Sequence, residues 1–337
     1  LGSSSPKSCR SMEDSAKLDY LQESELSPEC EKILPSLRRS NGWLAVDVFQ
    51  YQGFWLPARH ISGTIACQAS FQAEDSDVLL VSQPKSGTTW LKALAFCLTK
   101  RRAFPDLRNH PLLTTSPHEL VPFLEYAYAK TNSPELGAFG SPRLLSSHMS
   151  ISSLPKSVML SRCKIVYICR NPKDTVVSLW HFVNKLRRPH EASLSLPTAV
   201  DRFCSGLSLN GPYWEHVRGY WEKAMDDSRR ILFLKYEELL ESPEKAVRTL
   251  AEFLGCPFSA VEDGEGVADE ILKLCSFSSL SNLEVNKSGR LPTGEPNAAF
   301  YRRGATGDAA NFLTADMVER IEQVTLERFA GTSLNFS

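Results

Sequence analysis

The 337-residue chain has no C-x-x-C pair among its nine cysteines, almost no net charge and no long apolar run. Each absence removes a class of protein. An odd number of scattered thiols, several inside apolar runs, does not read as a disulfide framework; reduced core cysteines in a reducing compartment are expected. The 38 basic and 39 acidic residues leave a net charge of −1, so no global field recruits nucleic acid or anionic membrane. Any anion site must be local. No apolar stretch approaches the roughly 20 residues of a membrane span. The polar start carries no apolar signal core, so a cytoplasmic protein is expected. A 42% hydrophobic and 23% charged composition fits a globular chain with a sizeable core. No repeat and no linker divides the middle. One domain over residues 28–337 is expected, preceded by a polar arm, residues 1–27, that is disordered or loosely docked.

What is present is concentrated in Val78 to Phe96. Val78-Leu79-Leu80-Val81 is the short branched run of a buried strand. Ser82-Gln83-Pro84 breaks it, Lys85, Ser86, Gly87, Thr88 and Thr89 follow, and an amphipathic helix begins near Trp90. A strand, a small-residue loop with a lysine and a helix make a phosphate cradle. Unpaired N–H groups and the macrodipole favour an anion at the helix start, and Gly87 lets backbone approach it. The loop is not a Walker A motif: Lys85 precedes Gly87, and no glycine stands where the first one belongs. No acidic partner for Mg²⁺ is evident, and no metal is expected.

The pattern then repeats. Arg143–His148 reads as a second strand and Lys164–Cys169 as a third, the latter entering a helix from Thr175. Ile231–Leu234 reads as a fourth, ending near Tyr236; Ser242-Pro243 then opens a helix stopped by Gly255. Continuous apolar strands alternating with helices predict an α/β fold with a central, mostly parallel sheet covered on both faces. Ligands of such sheets bind at the carboxyl ends of the strands. Lys85, His148, Arg170 and Tyr236 fall there. Asp47–Leu56 is aromatic and partly alternating, as a strand pair or a packed loop. Residues 109–126, rich in proline and aromatics, have no clean period and suit a pocket wall. Residues 281–299 read as a long glycine-bearing loop, and 315–329 as a closing helix.

Lys85, Arg170 and the pair Arg302-Arg303 supply two or three anion subsites, as a nucleotide with separated phosphates requires. Trp90 and Phe277 suit the faces of a base and Tyr236 its edge. His148, at a strand end, is a candidate general base; His60, His110, His118, His181, His190 and His216 compete with it.

Three segments then resemble one family. PKSGTTW, Pro84 to Trp90, is similar to the 5′-phosphosulfate loop of cytosolic sulfotransferases. YICRNPKDTVVSLWHF, Tyr167 to Phe182, resembles their 3′-phosphate segment. YRRGATGD, with Asn311 and Thr314, resembles their C-terminal signature. NHPLL, HELVPFLE and SLWHF read most like the plant branch. The resemblance implies the co-substrate 3′-phosphoadenosine 5′-phosphosulfate (PAPS) and in-line sulfuryl transfer to a hydroxyl of a small acceptor. Flavonoids, steroids or brassinosteroids, hydroxy-jasmonate and desulfo-glucosinolates are the acceptor classes of that branch. Carried over by position, Lys85, Ser86, Gly87, Thr88 and Thr89 would hold the 5′ side. Arg170, Ser178, Arg302, Arg303 and Gly304 would hold the 3′-phosphate, and Trp90, Tyr236 and Phe277 the adenine. His148, Lys85 and Ser178 would form the catalytic set, with His148 taking the acceptor proton. Phe123, Tyr126 and Phe182 would line the acceptor pocket.

The chain also departs from the family. Ser146 stands where many animal members have a lysine two residues before the histidine. Arg303 replaces the signature lysine. Ala309 and Ala310 stand where tryptophan and lysine are usual, which puts the packing of that loop in question. The family's dimer motif keeps Thr314 and Glu319 but has Ala310 and Ala315, so a monomer is expected. A nucleotide kinase or NTPase is the alternative function, and a non-catalytic nucleotide-binding module the third.

Overall fold

Every residue of Val78–Ser82 is buried, and that strand lies inside a four-stranded parallel sheet. The computed structural model describes Leu18 and residues 25–336, apart from 138, 139 and 189. In chain order the strands are β1 (Arg39–Asn41), β2 (Asp47–Tyr51), β3 (Phe54–Leu56), β4 (Val78–Ser82), β5 (Leu144–Ser147), β6 (Lys164–Cys169) and β7 (Ile231–Lys235). The central sheet runs β5-β4-β6-β7, with Leu80 of β4 opposite both Ser146 and Val166.

Alternation along β4 sends its side chains to two cores. Val78 and Leu80 join Leu91, Leu94 and Leu98 of helix Thr88–Lys100 and Val247 and Leu250 of helix Pro243–Leu254. Leu79 and Val81 join Val176 of helix Pro172–Leu186 and Tyr213 and Tyr220 of helix Tyr213–Asp226. A strand apolar on both faces requires helices on both, which is the expected α/β architecture. After β4 the chain moves to one side of the sheet, and after β6 to the other. The crevice between the ends of β4 and β6 is therefore the topological switch point.

A second sheet is antiparallel, in the order β1-β2-β3. Gln52 and Gly53 between β2 and β3 both have positive φ, the geometry of a tight hairpin, so 47–56 is a strand pair.

Several boundaries move. The helix expected from Thr175 starts at Pro172, because the Asn171 side chain accepts from Lys173 N and proline occupies the first helical position. The helix after the cradle starts at Thr88. Ser242 sits at an N-cap but its side chain makes no capping bond, whereas Gly255 closes that helix at φ 78° as expected. Residues 281–299 are not one loop. Helix Phe277–Asn282 runs into this stretch, and Glu284–Ser288 forms another. The Asn286 amide donates to Leu280 O and the Asn297 amide to Val285 O. Side-chain-to-backbone bonds of this kind hold compact structure without an apolar period. The expectation for 1–27 lies mostly outside the described residues; Leu18 itself is buried in the core. All eight described cysteines are free thiols, and seven are buried. Among the described residues no helix is long and apolar enough to cross a membrane.

Candidate active site

The carboxyl ends of β4, β5 and β6 and the start of the helix after β7 open onto one cavity of about 380 Å³. The loop after β4 forms its floor. Lys85 has φ 69° and Gly87 φ 106°, so the chain turns sharply before the helix. A Cβ on Gly87 would lie 2.7 Å from the Tyr236 ring and 2.9 Å from Ile168, so only glycine fits. The hydroxyls of Ser82 and Thr88 lie 2.6 Å apart and tie the strand end to the helix start. Lys85 Nζ lies 4.3 Å from the Phe182 ring centroid and 5.6 Å from that of Phe300. Burial first, then Arg170, Arg302 and Lys185, lowers the Lys85 pKa to about 7.

Arg170 follows β6 and enters the cavity from beneath Tyr236, its guanidinium carbon 4.9 Å from that ring. Its Nη2 donates to Ala305 O at 2.8 Å and faces Asp174 at 3.3 Å. Arg302 and Arg303 both pair with the buried Asp308. Asp174 accepts from the backbone N–H groups of Gly307 and Ala309 at 2.8 and 2.9 Å. That carboxylate anchors the loop in which Ala309 replaces tryptophan, so the loop is held by its backbone. Gly304, at φ 64°, packs on Phe277; a Cβ there would lie 2.3 Å from the ring. Among the described residues, Ser86 Oγ, Arg170 Nε and Arg302 Nε are buried with no hydrogen-bond partner. Unpaired buried donors on two arginines that line the cavity, with a third on Ser86 beside it, fit an anionic ligand with more than one phosphate.

His148 follows β5. Its Nδ1 lies 2.6 Å from the Ser82 carbonyl oxygen, which can only accept, so Nδ1 carries the proton and Nε2 keeps its lone pair. Its ring centroid is 4.6 Å from that of Phe123. Burial chiefly lowers the His148 pKa to about 3, so the ring is neutral at working pH. Its main chain is clamped: His148 N donates to the buried Glu125 carboxylate at 2.7 Å, and its carbonyl faces His216 Nε2 at 3.1 Å.

Nearly all the residues expected from sequence meet here. Lys85, Gly87, Thr88, Thr89, Trp90, Phe123, Tyr126, His148, Arg170, Ser178, Phe182, Tyr236, Phe277, Arg302, Arg303 and Gly304 line the cavity. Ser86 is the exception, buried beside it. Trp90 and Tyr236 meet edge-on at 5.8 Å, and Phe277 lies 6.3 Å from Tyr301. Of the competing histidines, His60 and His118 also line the cavity: His60 stacks on Tyr126 at 4.7 Å and His118 lies against Phe300 at 4.2 Å. His110 and His216 are buried outside it. Sequence reasoning missed Glu125, Asn210, Glu295 and Tyr301. Only Glu125 left a signal, as one of two carboxylates, with Glu119, in the aromatic segment 109–126. Among the described residues no cluster of His, Cys, Asp or Glu is placed to hold a metal ion.

A family model of the sulfotransferase domain matches residues 75–333. Cytosolic sulfotransferase 12 of Arabidopsis thaliana is 45% identical over 320 residues, covering 94% of this chain and 97% of its own. A crystal structure of an Arabidopsis thaliana protein described as a putative steroid sulphotransferase superposes with TM-score 0.73 at 39% identity, covering 93% of this chain and 98% of that one. A mouse sulfotransferase complexed with PAP gives TM-score 0.64 at 25% identity over 85% of this chain and 96% of its own. The phosphosulfate-type loop at the switch point and these likenesses agree: the chain belongs to the sulfotransferase family, in its plant cytosolic branch, and is a PAPS-dependent sulfotransferase.

Proposed function

We propose that this enzyme transfers the sulfuryl group of PAPS to a hydroxyl of a flat, mostly apolar small acceptor, with His148 as general base. The observation that carries this reading is the pairing of Lys85 and His148 on one cavity. They sit at the ends of neighbouring parallel strands, one a half-buried lysine that an anion would hold charged and the other a neutral base with Nε2 available. PAPS brings an activated sulfuryl group whose leaving side is a phosphate. Lys85 and the helix start at Thr88 neutralise charge on that phosphate as the S–O bond breaks. Ser86, Gly87, Thr88 and Thr89 hold the 5′ side, and Arg170, Ser178, Arg302, Arg303 and Gly304 the 3′-phosphate. Trp90, Tyr236 and Phe277 contact the adenine. His148 Nε2 receives the proton of the attacking hydroxyl as the new O–S bond forms.

Phe123, Tyr126 and Phe182 form the acceptor walls, with Phe300 and Leu209 beside them. Aromatic walls suit a phenol or a steroid-like alcohol. The steroid assignment of the Arabidopsis structure supports the second of these. Ala310 and Ala315, both exposed, stand in the dimer motif, which supports a monomer. One central sheet with a core on each face supports a single domain over residues 28–337.

The test is a transfer screen with ³⁵S-labelled PAPS over flavonoid, steroid, hydroxy-jasmonate and desulfo-glucosinolate acceptors, with arylamines beside them. Label should appear on a hydroxyl of at least one class. Label transferred to an amine but to no hydroxyl acceptor would overturn the acceptor assignment.

A further inference from the structure

Lys92, on the helix Thr88–Lys100 and one turn from the cradle, is wholly buried and does not line the cavity. A buried lysine persists only where acceptors surround its head. Its Nζ lies 3.2 Å from His118 Nδ1 and 3.3 Å from the centre of the Phe123 ring, and it feels the buried Glu125 carboxylate. The other nitrogen of that imidazole, Nε2, lies 2.9 Å from the Thr89 hydroxyl. His118 and Thr89 both line the cavity. Three side chains from two segments thus form one chain of polar contacts that ends on the phosphate loop.

The direction of that chain follows from its first member. Burial lowers the Lys92 pKa well below its ordinary value, while the Glu125 carboxylate and the face of the Phe123 ring favour the charged head. As an ammonium Lys92 has only donors, so His118 Nδ1 accepts and the imidazole proton resides on Nε2. Nε2–H then donates to Thr89 Oγ1, and the threonine keeps its own proton for another acceptor. In the opposite tautomer Thr89 would donate to Nε2 and turn only lone pairs toward an anion. Burial, with Lys92 and Lys85 nearby, holds the His118 pKa well below its ordinary value, so the ring is neutral and has a tautomer to set.

We propose that Lys92 is a positioning residue for the sulfate donor: through the tautomer of His118 it orients the Thr89 hydroxyl as a hydrogen-bond donor to the 5′ side of PAPS. This rests on the donor reading above. It also bears on the lysine absent from β5. Ser146 donates its hydroxyl inward, to Pro122 O at 3.0 Å, and brings no charge to the cavity. Lys92 places a cation one imidazole away from the loop, kept out of the cavity by Phe123 and His118.

The test begins with ¹⁵N NMR of the His118 side chain in the full chain without nucleotide. The Nε2–H tautomer is expected, and an Nδ1–H tautomer overturns the proposal. Calorimetry with 3′-phosphoadenosine 5′-phosphate (PAP) follows. Lys92→Met should weaken PAP binding about tenfold, the scale of one hydrogen bond to a charged group, and leave the KM of the acceptor unchanged. Wild-type affinity in that variant overturns the proposal. Should Lys92→Met fail to fold, His118→Gln and His118→Leu replace it. The glutamine amide nitrogen can stand in for Nε2–H, so the first should bind PAP more tightly than the second; equal affinities overturn the proposal. Failure of the unaltered chain to bind PAP would instead overturn the donor reading, while the NMR result is obtained without nucleotide.

Discussion

His148 Nδ1 donates to the carbonyl oxygen of Ser82 at 2.6 Å, joining the histidine after one strand to the end of the neighbouring strand that enters the phosphate loop. One hydrogen bond thereby fixes the tautomer of His148 and its place relative to Lys85. In the proposed mechanism, with His148 as base, both ends of the transfer are then referred to the same rigid sheet.

The first prediction concerns that base. His148→Ala should lower turnover by about 10²- to 10⁴-fold, the range for loss of a general base, with PAP affinity within about twofold of the parent. Steady-state kinetics and calorimetry on the same preparation check this. Turnover near the parent's would remove His148 from the chemistry.

Lys85 should report ligand binding as proton uptake. Its pKa in the free enzyme is about 7, set first by burial and then by Arg170, Arg302 and Lys185. At about pH 8 it is therefore mostly neutral, and a bound phosphate favours the charged form, so binding takes up a proton. Titrating PAP in two buffers of different ionisation heat should show uptake, and Lys85→Met should remove it. Proton release on binding would contradict the assignment.

Two glycines should not tolerate a methyl group. Gly87→Ala places a Cβ into Tyr236 and Ile168 at φ 106°, and Gly304→Ala places one into the Phe277 ring at φ 64°. Each should weaken PAP binding by at least about tenfold, since backbone that bears the ligand must move. Gly53→Ala, with open space at its Cβ and φ 89°, should leave binding intact and lower only stability. Equal PAP affinity in all three would refute the steric argument.

The protein should lose stability on mild acidification. Burial lowers His60 and His148 to about 3 and His216 to about 4, and holds His118 well below its ordinary value. Below about pH 6.5 the unfolded chain binds protons that these rings refuse, so stability falls as pH drops, by about 1.4 kcal/mol per pH unit for each ring. Glu125 and Glu237, raised by burial, act in the opposite sense just above the usual carboxylate range. The four imidazoles outnumber them. Chemical denaturation at intervals from about pH 7 to 5 should show the decline, shallower by one proton in His60→Phe. A flat profile would mean that these rings are hydrated in solution.

Much of this was legible because it is local. Val78–Val81 shows its burial by composition, and Lys85 to Thr89 shows its chemistry by adjacency. The hairpin at Gln52-Gly53 is not legible in the same way, because aromatic residues suit a strand or a packed loop equally. Residues 281–299 read as a loop because Asn286 and Asn297 hold them with bonds to backbone, which have no period. Ala309 seemed to threaten its loop, yet the carboxylate that anchors it, Asp174, lies 135 residues away.

The parallel α/β sheet, the phosphate loop, the arginine pair and the histidine at a strand end are readable from the residues alone, since each rests on residues within one turn or one strand of each other. The folded chain adds which nitrogen of His148 is protonated and the sharing of Asp308 by Arg302 and Arg303. It alone brought Lys92 to His118 and His118 to Thr89. Those are contacts between side chains on different segments, and their geometry follows from how helices pack on the sheet, which no local pattern of residues records.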